Sequence, residues 1–237
     1  MEKYVSPLSL LLSVSAVPLW LVLFCALSLK THSTRDARSA AFHDALDFRE
    51  SRHRRVARRR HRQRAVNVIE QVADRYGDEV VVGAGTVLDA ETARTCILAG
   101  ATFVISPSLN LATIEMCRRY SVVVTPGALT PTEVVTAWAS GADAVKIFPC
   151  SAMGGAKYLK SLKAPLPQVL MIPTGGVSLA TAAEFIQAGA FALGVGADLV
   201  DTKAIREGQP EKVTEAARAY VAAVRDARGI GKSSAHG

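Results

Sequence analysis

The sequence contains few residues of the kinds that build metal sites, disulfide scaffolds or disordered tracts. It has four cysteines in 237 residues, and none of them forms a Cys-x-x-Cys pair or another metal-ligand spacing. A zinc module and a disulfide scaffold are therefore excluded, and reduced thiols in a cytosolic setting fit best. Aromatic residues make up only 6%, but a hydrophobic content of 49% excludes a disordered or low-complexity chain. The length is sufficient for one large core or two small domains.

Positive charge is concentrated at one end of the chain. Residues 1–64 hold 13 of the 28 Lys and Arg residues but only 5 of the 21 acidic residues, so the remainder is close to neutral. The formal net charge of +7 therefore says little about what the main domain binds. We expect no nucleic-acid partner for that domain.

Residues 1–64 differ in composition from everything that follows. Residues 5–29 are uncharged, a run long enough to cross a bilayer, and residues 31–64 are rich in Arg and His. One interpretation is a membrane anchor with a polybasic stop, or a nucleic-acid-binding arm. The other is out-of-phase translation of a GC-rich frame, or translation from an over-extended start, which the abrupt change near Ala65 favours. The expected localisation is cytoplasmic, or membrane-anchored through residues 5–29 if the anchor is genuine.

From Ala65 onward, short apolar runs alternate with amphipathic stretches. The runs are rich in Val and Ile and do not alternate with polar residues, which is typical of strands buried on both faces. The six predicted strands are Glu79–Gly83, Thr102–Ser106, Ser121–Thr125, Asp143–Phe148, Gln168–Ile172 and Phe191–Val195.

Helix signals fill the intervals between these strands. The predicted N-caps are Asp89, Asn110 and Ser178. Thr130 and Glu133 have the spacing of a capping box, with proline at the first helical position. Repeated strand–helix units predict a parallel sheet with helices outside it. We expect a (β/α)8 TIM barrel, incomplete at its N-terminal quarter, with a doubly wound open sheet as the structural alternative.

Only one ionisable side chain, that of Lys146, lies at the predicted carboxyl ends of the strands. An ammonium group inside an apolar strand is unfavourable unless it is paired or deprotonated, and no acid at the strand ends is an obvious partner. The pattern favours an amine with a lowered pKa that attacks a carbonyl carbon. The alternative is a lysine that reaches solvent at a strand edge.

The last two predicted strands end in glycine-rich turns. These are Thr174-Gly175-Gly176 and Gly194-Val195-Gly196. In barrels the corresponding loops are the usual phosphate site, because bare backbone N–H groups face the anion there. The alternative is that these glycines only permit tight turns.

Four motifs, taken in order, point to a known family. They are Gly83-Ala-Gly-Thr-Val-Leu, Ile105-Ser-Pro, Val145-Lys-Ile-Phe-Pro and Ile172-Pro-Thr-Gly-Gly-Val. From residue 65 to residue 228 the chain resembles the 2-dehydro-3-deoxy-phosphogluconate / 4-hydroxy-2-oxoglutarate aldolase family. The resemblance implies a (β/α)8 fold, a homotrimer and a class I aldolase that uses no metal or other cofactor. Residues 229–237 are expected to be a disordered tail.

The resemblance also implies a role for each matching residue. Lys146 would be the Schiff-base lysine. The implied substrate-binding residues are Thr86, Pro107, Phe148 and Thr174, and the implied phosphate-binding residues are Gly175, Gly176 and Gly196. The implied substrates are a phosphorylated 2-keto-3-deoxy sugar acid, as in the Entner–Doudoroff pathway, and 4-hydroxy-2-oxoglutarate. The first would yield pyruvate and glyceraldehyde 3-phosphate, and the second pyruvate and glyoxylate.

The sequence departs from the family pattern before residue 65. The family's general acid/base Glu and a substrate-binding Arg would fall near Ala57 and His61, where residues 54–62 contain no acid. We therefore expect impaired activity, and one alternative function is a small-anion-binding or membrane-tethered remnant of the aldolase. Another is a thiamine-phosphate-synthase-like transferase, although the Mg-binding carboxylates that it needs are missing from the strand ends.

Overall fold

A computed structural model of the chain describes residues 11–12, 22–27, 54–77 and 80–229, with side chains for 65–77 and 80–229. The strands are β1 Leu11–Leu12, β2 Val22–Leu27, β3 Val80–Gly85, β4 Phe103–Ile105, β5 Val123–Thr125, β6 Gly127–Ala128, β7 Val145–Ile147, β8 Met171–Pro173 and β9 Gly194–Val195. The helices are α1 Arg54–Tyr76, α2 Ala90–Leu98, α3 Leu111–Arg119, α4 Pro131–Ala139, α5 Ala156–Lys163, α6 Ala182–Gln187, α7 Thr202–Arg206 and α8 Glu211–Ala227, with a 3-10 helix at Ser151–Met153.

Local sequence signals set several of the helix starts. The side chains of Asp89 and Asn110 accept hydrogen bonds from the N–H groups of Thr92 and Thr113, as N-caps do. The capping box at the start of α4 is also formed. The prediction for Ser178 was wrong, because the N-cap of α6 is Thr181. Ser178 instead contributes an N–H group that donates to Thr181 Oγ1.

All six predicted strands are present, and neighbouring strands pair in chain order. β3, β4 and β5 are parallel, as are β6, β7 and β8, and a parallel bridge from Thr174 to Gly194 connects β8 to β9. β5 and β6 are separated only by Pro126, which lacks the N–H group that a ladder needs. A doubly wound sheet would reverse its strand order at a switch point, so the observed order favours the barrel-type arrangement.

The register divides the strand residues between two faces. Ile105 pairs with Thr125, and Lys146 pairs with Gly127 on one side and Ile172 on the other. Because side chains alternate along a strand, these residues share one face of the sheet. The opposite face packs against the helices through buried aliphatic residues: Val82, Val104, Val124, Val145, Ile147, Met171 and Val195.

The two short strands near the N-terminus flank this arrangement. β1 pairs in parallel with β9, and β2 pairs with β3 in the antiparallel direction. The described strands therefore form an α/β fold with parallel sheets but do not close into the eight-stranded parallel barrel that the resemblance implies. The described strands form three sheets, and β2 pairs with β3 in the antiparallel direction, whereas a barrel of this type has parallel neighbours throughout.

Most of the predicted N-terminal segment and the predicted tail lie outside the described residues. This applies to residues 5–29 except for β1 and β2, and to residues 230–237. Within the described ranges, no helix combines the length and the apolar character that spanning a bilayer requires. The domain boundary at residue 65 stays a prediction.

Candidate active site

Lys146 lies on the inner face of the sheet, which is the face opposite the helices. Its strand neighbours Val145 and Ile147 are fully buried on the helix side, so the alternation of the strand directs Lys146 to the inner face. Only 8% of the residue is exposed. Beside it is its strand partner Gly127, where the backbone of Pro107 occupies the space that a side chain would need.

The environment of Lys146 favours the neutral amine. Burial lowers the pKa of Lys146 to about 8. Within the described side chains, Nζ has no hydrogen-bond or ion-pair partner. The ring of Phe148 lies beneath it, with Nζ 4.7 Å from the ring centroid. The lowered pKa predicted from the sequence is thus supported, with desolvation as its cause.

Phe148 connects the lysine to the first glycine turn. A Cβ atom placed on Gly175 would lie 3.4 Å from Cδ2 of the Phe148 ring, which is ordinary van der Waals contact. Gly175 and Gly176 adopt φ values of 85° and 76°, which side chains strongly disfavour. These two glycines are therefore required by the backbone, and Gly175 lies against the ring that also contacts Lys146.

Thr174 brings the two glycine turns together. It is 8% exposed, and its Oγ1 atom occupies the space that a side chain on Gly194 would need. The turn that follows β9 is closed by the carbonyl of Gly196, which accepts hydrogen bonds from the N–H groups of Leu199 and Val200. The bridge between Thr174 and Gly194 therefore holds the ends of β8 and β9 side by side.

Thr86 follows the end of β3, and Pro107 follows the end of β4. Thr86 has a φ of 58°, a conformation that is unusual for a β-branched residue and is often associated with functional sites. The backbone of Pro107 packs so closely on Gly127 that a Cβ atom there would lie 2.6 Å from the N–H nitrogen of Ser108. Pro107 thus reaches the neighbourhood of Lys146 through Gly127. Both residues are half-buried.

The positions expected for the general acid/base and the arginine do not lie on a strand. Ala57 and His61 are part of α1, in a stretch whose side chains are outside the described residues. Burial accounts for the lowered pKa of Lys146, without a contribution from any described acid. The structure therefore supplies no replacement carboxylate next to the lysine from residues 65–77 and 80–229.

Two hydroxyl residues of this region were not among the predicted site residues. Thr125 is 4% exposed and lies on the inner face, two residues before Gly127. Ser151, in the segment after β7, contacts Gly176, in the turn after β8. A strand-end Thr-Pro-Gly sequence offered a weak signal for Thr125, whereas the contact of Ser151 depends on the tertiary structure alone.

Comparison with known sequences identifies relatives along most of the chain. Residues 54–216 match the sequence model of the KDPG and KHG aldolase family. The 2-dehydro-3-deoxy-6-phosphogalactonate aldolase of Escherichia coli strain K12 is 38% identical over 161 residues, which cover 67% of this chain and 76% of that enzyme. The 2-dehydro-3-deoxy-phosphogluconate aldolase of Treponema pallidum strain Nichols is 35% identical over 136 residues, which cover 57% of this chain and 65% of that enzyme.

Solved structures give the same picture. The native KDPGal structure superimposes with a TM-score of 0.65 at 31% identity, covering 84% of this chain and 93% of that one. KDPG aldolase from Legionella pneumophila superimposes with a TM-score of 0.62 at 28% identity, covering 66% of this chain and 75% of that one. The Legionella enzyme was solved with pyruvate captured at low pH as a covalent carbinolamine intermediate.

Proposed function

Because this chain belongs to the KDPG and KHG aldolase family, we propose that it is a class I aldolase that cleaves carbon–carbon bonds through a Schiff base on Lys146. Its substrates are phosphorylated 2-keto-3-deoxy sugar acids, 4-hydroxy-2-oxoglutarate, or both. The observation that carries this proposal is the buried Lys146 amine, whose pKa is lowered to about 8 and which lies beside the glycine turn at Gly175.

The chemistry begins with the neutral amine. Nζ attacks C2 of the keto acid, the C=O π bond opens, and a proton moves from nitrogen to oxygen to give a carbinolamine. The carbinolamine hydroxyl then takes a proton from solvent and leaves as water, which gives a protonated imine. A pKa of about 8 keeps a useful fraction of Lys146 neutral near physiological pH, which an ordinary lysine cannot do. The carbinolamine captured in the Legionella relative supports this first step.

Bond cleavage uses the imine as an electron sink. A base removes the proton of the C4 hydroxyl, the C3–C4 bond breaks, and its electron pair moves to C3 to form an enamine while the aldehyde leaves. The enamine takes a proton at C3, and water hydrolyses the imine to release pyruvate and regenerate Lys146. Thr86, Pro107, Phe148 and Thr174 surround the keto-acid portion in this proposal. The backbone at Gly175, Gly176 and Gly196 holds the phosphate.

Removal of the C4 hydroxyl proton needs a base, and this is the step for which the chain offers the fewest candidate residues. Residues 54–62 contain no acid where the resemblance expects the Glu. We infer that turnover, rather than imine formation, is the weakened part of the reaction. A homotrimer, as implied by the family resemblance, also stays a prediction, and light scattering of the purified full chain measures it.

Reductive trapping tests the proposal. The full chain is incubated with pyruvate and borohydride, and the modified peptide is located by mass spectrometry. We expect an adduct on Lys146 that disappears in Lys146→Ala. Lys160→Ala is the matched control, because Lys160 is an exposed lysine on the outer helix α5, and this variant should trap pyruvate normally. An adduct on a different lysine, or none in the wild type, contradicts the Schiff-base assignment.

A further inference from the structure

The proposed phosphate site offers backbone groups but few side-chain donors. Gly175, Gly176 and Gly196 carry no side chain, and Ala197, which follows them, has only a methyl group. A phosphate group presents several strong acceptor oxygens, and a hydroxyl donor in hydrogen-bond reach strengthens its binding. A hydroxyl that lies against one of these turns is therefore of interest.

Ser151 lies against Gly176. Its side chain fills the space that a Cβ atom on Gly176 would occupy, and its Cα atom would lie 3.6 Å from that Cβ atom. The N–H group of Ser151 donates to the carbonyl of Gly175 over 3.1 Å. This backbone bond fixes the serine beside the turn, so the hydroxyl is held at the surface of the proposed phosphate site.

The hydroxyl of Ser151 has no hydrogen-bond partner among the described residues, and the residue is exposed. Other serines close to helices behave differently. The hydroxyl of Ser161 donates to the carbonyl of Lys157 over 3.1 Å, and that of Ser140 donates to the carbonyl of Thr136 over 2.8 Å. Those two hydroxyls are already used, whereas that of Ser151 is available to a ligand.

Lys146 and Ser151 lie at positions suited to opposite ends of a substrate. Lys146 pairs with Ile172, and Ser151 contacts Gly176, four residues further along the same segment. The lysine is buried, whereas Gly176 and Ser151 are exposed. A substrate whose keto group reaches Lys146 would therefore place its far end, where the phosphate is, near Ser151.

We propose that Ser151 is a further substrate-binding residue, whose hydroxyl donates a hydrogen bond to the phosphate held at the Gly175-Gly176 turn. This assignment rests on the proposed aldolase function. It gives Ser151 a role in selecting phosphorylated over unphosphorylated substrates, because 4-hydroxy-2-oxoglutarate has no group that reaches the turn.

The test compares Ser151→Ala with Ser161→Ala. Removing a hydrogen bond to a charged group should raise the KM for 2-dehydro-3-deoxy-6-phosphogluconate about tenfold with little change in kcat. The KM for 4-hydroxy-2-oxoglutarate should be unchanged. Ser161→Ala should behave as wild type, because its hydroxyl bonds to its own helix.

A binding measurement makes the test independent of turnover. Titration calorimetry with inorganic phosphate should give a Kd about tenfold weaker for Ser151→Ala than for Ser161→Ala and the wild type. Equal phosphate affinity in all three proteins, or equal changes in KM for both substrates, would overturn the role of Ser151. Trapping of pyruvate on Lys146 distinguishes the two proposals. If the role of Ser151 is overturned but Ser151→Ala still traps pyruvate, the proposed aldolase function is unaffected. If the wild type traps no pyruvate, the aldolase function itself is contradicted.

Discussion

The amine of Lys146 lies over the ring of Phe148, with Nζ 4.7 Å from the ring centroid. Two effects act on the amine in opposite directions. The negative face of the ring stabilises the ammonium form, whereas removal from water destabilises it. Since the pKa of Lys146 is lowered to about 8, desolvation is the larger effect.

Adduct formation with pyruvate should depend on pH with a midpoint near 8. The attacking species is the neutral amine, so the rate should rise as pH passes through the pKa of Lys146 and level off above it. The initial rate of borohydride trapping, measured from pH 6 to 10 at fixed pyruvate, checks this. A rate that is still rising at pH 10 would mean that the amine titrates like an ordinary exposed lysine.

Replacing Phe148 by leucine separates the two effects. Phe148→Leu keeps an apolar group over the turn but removes the cation–π attraction between the ring and the Lys146 ammonium, which is worth about 0.5–1 kcal/mol. The midpoint of the trapping rate should therefore fall by about half a pH unit. An upward shift would show instead that the ring mainly keeps water away from Nζ.

The fit between Thr174 and Gly194 should be intolerant of added volume. Gly194→Ala would overlap Thr174 Oγ1 and should lower the free energy of unfolding by about 1–3 kcal/mol, measured by urea denaturation. Combining it with Thr174→Ala removes the overlapping atom, so the double variant should regain part of that loss. Strictly additive effects would mean that the two positions are not coupled.

The capping box of α4 gives a prediction about stability. Thr130→Ala removes the side chain that caps the N–H group of Glu133, at a cost of about 1 kcal/mol in unfolding free energy. Thr132→Ala is the control, because Thr132 is exposed and lies two residues further along, and this variant should leave the unfolding free energy nearly unchanged.

Hydrogen bonds from Thr130 and Leu129 lower the pKa of Glu133. The contribution of the carboxylate is therefore present above the ordinary Glu pKa of about 4.3 and is lost as pH falls below it.

Turnover should be well below that of a relative with its complete acid/base machinery. General acid–base catalysis typically contributes about 10²–10⁴-fold, so cleavage of 2-dehydro-3-deoxy-6-phosphogalactonate should be slower by that order than in the Escherichia coli relative. Lactate dehydrogenase coupling measures both enzymes side by side. Equal rates would mean that another group performs the proton transfer.

Much of the described fold follows from short-range patterns. The six strands coincide with the Val- and Ile-rich runs, and the caps at Asp89, Asn110 and Thr130 are confirmed. The family resemblance drawn from four motifs is confirmed as well. Such signals are readable because each depends on residues within one turn or one strand. Ser178 is not the cap because α6 begins after Thr181, whose side chain makes no capping hydrogen bond to the helix.

Other features depend on residues that are distant in the chain. The antiparallel pairing of β2 with β3 joins segments more than fifty residues apart, and no local pattern specifies its direction. The contact of Ser151 with Gly176 likewise arises from packing between neighbouring strand ends.

By itself, the sequence determined that a lysine interrupts a buried strand and that glycine turns end the last two strands, because residue type and spacing record both. The tertiary structure decided the electrostatic character of that lysine. Its pKa depends on how completely Phe148, Gly127 and the surrounding strands remove it from water, and desolvation is a property of the assembled neighbours rather than of the residue.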